Sequence, residues 1–568
     1  MTAFFRRWRF QFLDDLAQMK KIGRDPILLA AILLCIVSLF LFVVFPLYKV
    51  LQQSFFNPDG AFSLDAYKLL FTSGENFKAF SNTVLLGSVV GLLATFVGFM
   101  FAYCYTYLAI RGKKLFNLVA MLPMISPPFA VALSIILLFG SRGFITNTLL
   151  GLRDANIYGF KGLILVQTLS FFPIAYLLLV GMLKSIDPAI EDAARDLGAS
   201  RWQTFRRVTA QLVGPGIANS FLLVFIKSVA DFANPMAIGG NFATLATQIY
   251  IQSIGNYDVQ GGAAVAVLLL DLSMLLFIIS KYWVEKKVYV TVTGKASRER
   301  MPIADRLVVW PVAGFCYAIA GIVLALYILI PIGSFIKLWG INYSFTLDHY
   351  IYAFGVGSKA IFDTTWLSVL ATPITGLLGM IIAFLVVRKR FIGKGFINFA
   401  SLLSIAVPGT VIGVGYILAF NTPPIVLTGT ATLLVAAFIV RSLPIGIRAG
   451  VASLQQIDPA IDEAAADLGA SSRQIFFKIT LPLIKTAFFS GLIYTFIRSM
   501  TSISAVIFLI TAKYNLITIA VLDQVESAKF GVASAFSTIL ILIVYLAIFV
   551  TNQVLTRLDP NIKKIELS

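Results

Sequence analysis

Apolar stretches of roughly 20 residues, the length a helix needs to cross the hydrocarbon core of a bilayer, recur about twelve times along this 568-residue chain. Inside lipid every backbone N–H and C=O must be satisfied within the protein, so only helices and closed barrels can span. A barrel needs short strands of alternating polarity, whereas the runs here are long and continuously apolar. Hydrophobic residues make up 59% of the chain and charged residues 13%, a balance that excludes an ordinary soluble domain. The expected fold is an all-α polytopic membrane protein. Its spans are predicted near 27–49, 81–109, 115–140, 162–183, 216–240, 262–284, 308–336, 363–387, 396–420, 430–453, 486–510 and 532–555.

Cys35, Cys104 and Cys316 fall inside those spans and His349 is the chain's one histidine, which suggests neither a disulfide framework nor a metal site. The formal charge of +18 could suit nucleic acid, but in a membrane protein the placement of Lys and Arg is what informs. Of the 45 such residues, 32 fall in the two termini and alternate loops, which predicts that both termini are cytoplasmic. Lipid, not nucleic acid, is the expected partner of this charge. Residues 1–26 mix Phe4, Phe5, Trp8, Phe10 and Phe12 with Arg6, Arg7 and Arg9, as an interfacial anchor on an anionic leaflet would. The long basic region and the lack of a small-residue cleavage pattern argue against a cleavable signal peptide.

The chain also repeats itself. IDPAIEDAARDLGAS at 186–200 recurs as IDPAIDEAAADLGAS at 457–471, and the same displacement pairs Pro173 with Pro444, Phe205 with Phe476, and Lys227 with Arg498. Six spans per repeat and cytoplasmic termini give the two halves the same orientation, related by a pseudo-twofold axis along the membrane normal. The predicted organisation is an N-terminal segment 1–26, a first six-span repeat 27–284, a cytoplasmic linker 285–307, a second repeat 308–555 and a tail 556–568.

In each copy of the repeated loop, Asp187-Pro188 or Asp458-Pro459 supplies an N-cap and a first-turn proline. Ile190, Ala193, Ala194 and Leu197, and likewise Ile461, Ala464, Ala465 and Leu468, follow at helical spacing and form a narrow apolar stripe. Gly198 and Gly469 read as C′ glycines, and Ser200-x-x-Gln203 and Ser471-x-x-Gln474 as capping boxes opening a second helix. The expected structure is helix, glycine turn, helix. Its small alanines permit close approach, and its first-turn carboxylates can meet cations on a partner.

Glu463-Ala464-Ala465, Gly469 and Ile479-x-Leu481-Pro482 resemble the EAA motif of permeases of binding-protein-dependent ABC importers. The first copy keeps Ala193, Ala194 and Gly198, with Asp192 in place of the glutamate and Ala210-Gln211 in place of Leu-Pro, so its helix exit is expected to differ. The resemblance covers essentially the whole chain and extends to the fused ferric-iron (Fbp-like) permeases. It implies a type I importer fold of two parallel six-helix repeats. It also implies that Asp187, Asp192, Ala193, Ala194 and Gly198, and Asp458, Glu463, Ala464, Ala465, Gly469 and Pro482, form two ATPase-coupling loops.

Nowhere does Gly-Lys precede Ser or Thr in a phosphate-cradling arrangement. The chain is therefore read as a transport subunit, not an enzyme, with no cofactor of its own. The resemblance implies that ATP and Mg are bound by two copies of an ABC ATPase, with a solute-binding protein on the outer side of a bacterial cytoplasmic membrane.

Lys227, Arg441 and Arg498 fall within predicted spans, and Asp231 and Asp271 lie in or near them. Charges near a bilayer midplane are costly and default to a functional reading, so these five are candidate translocation-pathway residues; neutralising ion pairs are the alternative. Pro123, Pro127 and Pro128 in the third span, and Pro408, Gly409, Gly413 and Gly415 in the ninth, mark breaks that could line the same pathway. The modest cationic excess favours an anionic passenger. A ferric–anion complex is the first expectation, with phosphonate or sugar-phosphate import as the alternative. An ion-gradient-driven secondary transporter would also show repeats and buried charges, but it leaves the duplicated loop unexplained.

Overall fold

The computed structural model describes residues 23, 25–56, 60–152, 156–284 and 300–558. The aromatic and basic N-terminal stretch, most of the linker and nearly all of the tail lie outside the described residues. Among those described, ten helices are long and apolar enough to cross a membrane, and two bent pairs raise the number to twelve if each pair is one span. The one sheet among the described residues is a hairpin of two short strands, Ile336–Leu338 and Asn342–Phe345.

The first repeat comprises α1 (Pro26–Phe55), α2 (Gly74–Tyr107), α3 (Lys113–Ile125), α4 (Ala130–Phe139), α5 (Phe160–Ser185), α6 (Pro188–Asp196), α7 (Arg201–Val229), α8 (Ala233–Ile238) and α9 (Val259–Tyr282). The second comprises α10 (Arg306–Ser334), α11 (Ser358–Arg388), α12 (Lys394–Ala406), α13 (Gly409–Phe420), α14 (Ala431–Leu454), α15 (Ala460–Asp467), α16 (Ser472–Leu483), α17 (Lys485–Met500), α18 (Ile517–Glu526) and α19 (Phe530–Leu558). Both repeats start in the same way. Asp25 caps α1 by accepting from the Leu28 N–H at 3.1 Å, and Asp305 caps α10 by accepting from Leu307 at 3.1 Å. Each cap satisfies one of the orphan donors of a helix start.

Four spans depart from the continuous helices expected. The third is cut between α3 and α4 at Ser126-Pro127-Pro128-Phe129, and the ninth bends by 116° between α12 and α13 at Val407-Pro408. Both cuts follow from proline, which lacks the N–H and disfavours helix at the residue before it. The fifth span is not 216–240: α7 starts at Arg201, directly after the capping box, and stops at Val229. The eleventh is not 486–510 either, because α17 stops at Met500 and an irregular stretch follows. Apolar residues continue past both helix ends; after α7, Asp231, Asn234 and Pro235 mark the stop, whereas 501–510 stays strongly apolar.

The chain forms two compact units that do not coincide with the sequence repeats. One combines the first span with Lys359–Ile517 and the described chain from Leu542 on, and the other combines Ser63–Ser358 with Thr518–Ile541. Within the former, α1 packs on α13: the Tyr416 hydroxyl donates to the Phe42 carbonyl at 2.9 Å, and a Cβ on Gly415 would meet Pro46 O at 2.9 Å. Within the latter, α10 packs on α4, with the Ser134 hydroxyl donating to Leu326 O at 2.7 Å. The first span of each repeat thus joins the body built on the other repeat.

The α2–α5 crossing shows why small residues sit at these contacts. A Cβ on Gly98 would lie 2.6 Å from Ala175 Cβ and 2.8 Å from Tyr176 N, so backbone would have to move. Membrane helices associate largely through such close packing. Gly98→Leu is expected to destabilise the unit by about 1–3 kcal/mol, as overpacking does, seen as a lowered thermal midpoint in detergent. An unchanged midpoint would refute the tight crossing.

Candidate functional site

Each repeated loop is built almost as its residues dictate. Asp187 accepts from the Ala189 N–H at 3.0 Å and Asp458 accepts from Ala460 at 2.9 Å. At the far end, Gly198 has φ +88° and Gly469 φ +85°. Their N–H groups donate to Arg195 O and Ala466 O at 2.9 Å, while Ala199 and Ala470 donate to Ala194 O and Ala465 O at 3.0 Å. This pairing is the Schellman closure, which uses a left-handed residue to satisfy orphan carbonyls. The capping boxes are present in both copies: Ser200 N–H donates to Gln203 Oε1 at 2.8 Å, and Ser471 N–H to Gln474 Oε1 at 2.9 Å.

The outward face of each short helix is apolar and open. Leu197 is 89% exposed and Leu468 90%, beside half-exposed Ile190 and Ile461, with Ala193 and Ala464 exposed and Ala194 and Ala465 half-buried. An almost fully exposed leucine thus stands at the same place in both repeats.

The first-turn carboxylates correct one expectation, because one in each loop is spent inside the protein. Glu191 is buried and accepts from the Tyr107 hydroxyl at 2.7 Å and the Thr209 hydroxyl at 2.6 Å, with Arg300 Nη2 at 3.0 Å. Asp462 ion-pairs with Arg388 at 2.8 Å and accepts from Thr480 at 3.3 Å. Only Asp192 and Glu463 remain on the outward side; Asp192 is paired with Arg195, and Glu463 is exposed.

The exits differ as the residues imply. In the first repeat α7 runs on from the loop through Ala210-Gln211 as one helix. In the second, α16 and α17 meet at 80° just after Leu481-Pro482. Proline removes the bond that residue 482 would give to residue 478, and the chain turns at Ile484 (φ −102°, ψ 18°).

The five pathway candidates do not form one site. Lys227 and Arg498 lie in the last turns of α7 and α17, not midway along spans as expected, where each cation faces the negative end of its helix. Asp231, just beyond α7, accepts from the Gln167 and Asn234 amides at 2.8 Å each. Asp271 is exposed on α9. Arg441 is midway along α14 and donates to Val407 O at 3.0 Å, satisfying a carbonyl at the α12–α13 break; it lies within electrostatic reach of Arg498, Tyr416 and Tyr494. Among the described residues no group of three or more His, Cys, Asp or Glu side chains could hold a metal ion.

Comparison with known proteins places this architecture. The profile of the family described as "Binding-protein-dependent transport system inner membrane component" matches the chain twice, over residues 94–290 and 375–564. The chain belongs to that family. This permease is 38% identical over 540 residues to the Ferric transport system permease protein FbpB of Actinobacillus pleuropneumoniae, covering 93% of the permease and 78% of that relative. It is also 38% identical over 511 residues to a Putative ferric transport system permease protein FbpB 1 of Haemophilus influenzae, covering 88% and 80%. The Molybdenum transport system permease protein ModB of Escherichia coli is 30% identical over 212 residues, 35% of the permease and 91% of ModB. The permease is therefore a multi-pass inner-membrane subunit of an ABC importer built from two repeats.

Sequence reasoning missed Arg300, Arg388, Tyr107, Glu191 and Asp462 as structural partners of the loops. One signal was available: Glu191 and Asp462 stand at the repeat displacement, and so do Thr209 and Thr480, which marks an acid and a hydroxyl retained together on the inward side.

Proposed function

We propose that this permease couples to two ABC ATPase subunits through α6 and α15, and that its passenger is ferric iron carried as a complex with an anion. The observation that carries the coupling is the pair of almost fully exposed leucines, Leu197 and Leu468, at equivalent tips of two Schellman-closed helices. Burying a docked leucine contributes on the order of 2 kcal/mol, and two copies suit a partner that is itself a dimer. ATP and Mg are bound by those partners, and the permease performs no chemistry of its own. Both termini and both loops are cytoplasmic, and a solute-binding protein delivers the passenger from the other side.

Iron is supported by the ferric transport relatives that align over most of the chain. An anionic escort is supported by Arg441 and Arg498, two cations of one unit within electrostatic reach of each other. The test is uptake of radiolabelled ferric iron into proteoliposomes containing permease, ATPase and binding protein. ATP-dependent accumulation is expected, and accumulation of a phosphonate but not of iron would overturn the iron assignment. Arg498→Met is expected to lower uptake severalfold while the complex still assembles. Normal uptake by that variant would remove Arg498 from the pathway.

A further inference from the structure

The inward carboxylates Glu191 and Asp462 are equivalent in the repeats, yet their cations come from different places. In the second repeat the guanidinium belongs to Arg388, the last residue of α11, which ion-pairs with Asp462 at 2.8 Å and donates to Ile457 O at 2.8 Å. The corresponding helix of the first repeat, α2, ends in Tyr107, which brings no charge. There the guanidinium arrives from Arg300, at the end of the segment joining the two repeats. Arg300 lies 3.0 Å from Glu191, donates to Leu183 O at 3.0 Å and to Ile186 O at 3.2 Å, and stacks 4.0 Å above the Tyr107 ring. Ile186 and Ile457 open the two copies of the repeated loop, so the two arginines make the same contacts from unrelated positions in the chain.

We propose that Arg300 is a positioning residue of the first coupling loop, supplied by the inter-repeat segment to replace the arginine that α2 lacks. Both side chains are largely buried, at 13% and 8% exposure. An uncompensated Glu191 in that setting would have to move, carrying α6 with it. Two further attachments hold the same segment in place. Ile303 N–H donates to Tyr107 O at 2.7 Å while Ala109 N–H donates to Ile303 O at 3.0 Å, and Arg201 pairs with Asp305 at 2.9 Å. Asp305 is also the cap of α10, so the segment ties the first loop to the start of the second repeat. The second loop is tied in the mirrored sense, with Asp25, the cap of α1, accepting from Ser472, the counterpart of Arg201.

This inference rests on α6 being an ATPase-docking helix, and its test keeps the two ideas apart. The full complex is reconstituted, and the ratio of binding-protein-stimulated to basal ATPase activity is measured together with solute moved per ATP. Arg300→Ala is expected to lower both at least severalfold, and the charge swap Glu191→Arg with Arg300→Glu to recover part of the loss. Both ratios are read per assembled complex, so a purely structural role would lower the yield of complex and leave them unmoved. Full coupling in Arg300→Ala, or a swap no better than either single change, overturns the proposal. Should Arg300→Ala fail to assemble, the near-isosteric Glu191→Gln gives the same reading, because it removes the ion pair and keeps the side chain's shape; unchanged coupling overturns the proposal there too. Leu197→Asp separates the ideas: if it uncouples while Arg300→Ala does not, only the role of Arg300 fails, and if it too leaves coupling intact, the docking reading fails with it.

Discussion

Valine at both Gly198 and Gly469 is expected to uncouple transport from ATP hydrolysis while leaving the spans folded. Both positions have strongly positive φ, and no neighbouring atom would lie within 4 Å of an added Cβ, so the cost is backbone strain and not a clash. A left-handed conformation costs a non-glycine residue about 1–2 kcal/mol, and valine is among the least tolerant residues there. The turn is relieved by straightening, which breaks the bonds from Ala199 to Ala194 O and from Ala470 to Ala465 O and re-aims the exposed leucines. If that strain is charged to docking, each site loses affinity roughly tenfold. Solute uptake per ATP in proteoliposomes should collapse, and normal uptake would contradict the account of the loops.

Arg388→Met is expected to be strongly destabilising. Arg388 and Asp462 have side-chain exposures of 8% and 15%, and the guanidinium also satisfies the Ile457 carbonyl. Removing one partner of such a pair leaves a carboxylate with little solvent and one remaining hydroxyl donor, Thr480. Breaking a buried pair from one side costs about 3–5 kcal/mol. The thermal midpoint of the purified permease should fall by several degrees. Arg388→Met together with Asp462→Leu should recover much of it, since both charges are then gone. A single variant with a wild-type midpoint would show that the pair contributes nothing.

What could be read from the sequence was what local chemistry decides. The caps at Asp187 and Asp458, the left-handed glycines at 198 and 469 and the Ser-x-x-Gln boxes need only a few neighbouring residues, and each has the geometry its spacing implied. Pro127-Pro128 and Pro408 marked the broken third and ninth spans for the same reason. Span ends were less legible where apolar composition continues past a helix. Residues 501–510 are strongly apolar and 230–240 keep Phe232, Met236 and Ile238 among their polar residues, so the predicted spans run too far and Lys227 and Arg498 looked central when they are terminal. The Ser200 box already marked the true start of α7, but the polar residues from Arg201 to Gln211 disguised its continuity with the span. Partners distant in the chain were invisible. Nothing local tells Arg300 that it will meet Glu191, two spans back along the chain, because that contact exists only once the first span of the second repeat has joined the other unit.

Cross-linking tests the central claim most directly. Leu197→Cys and Leu468→Cys, made separately in a chain whose three buried cysteines have been replaced, are treated with a short thiol-to-amine reagent in the assembled importer. Each is expected to link the permease to an ATPase subunit, with the yield changing when ATP is bound. An intact complex in which neither position links to the ATPase would contradict the assignment of the duplicated loops as its docking sites.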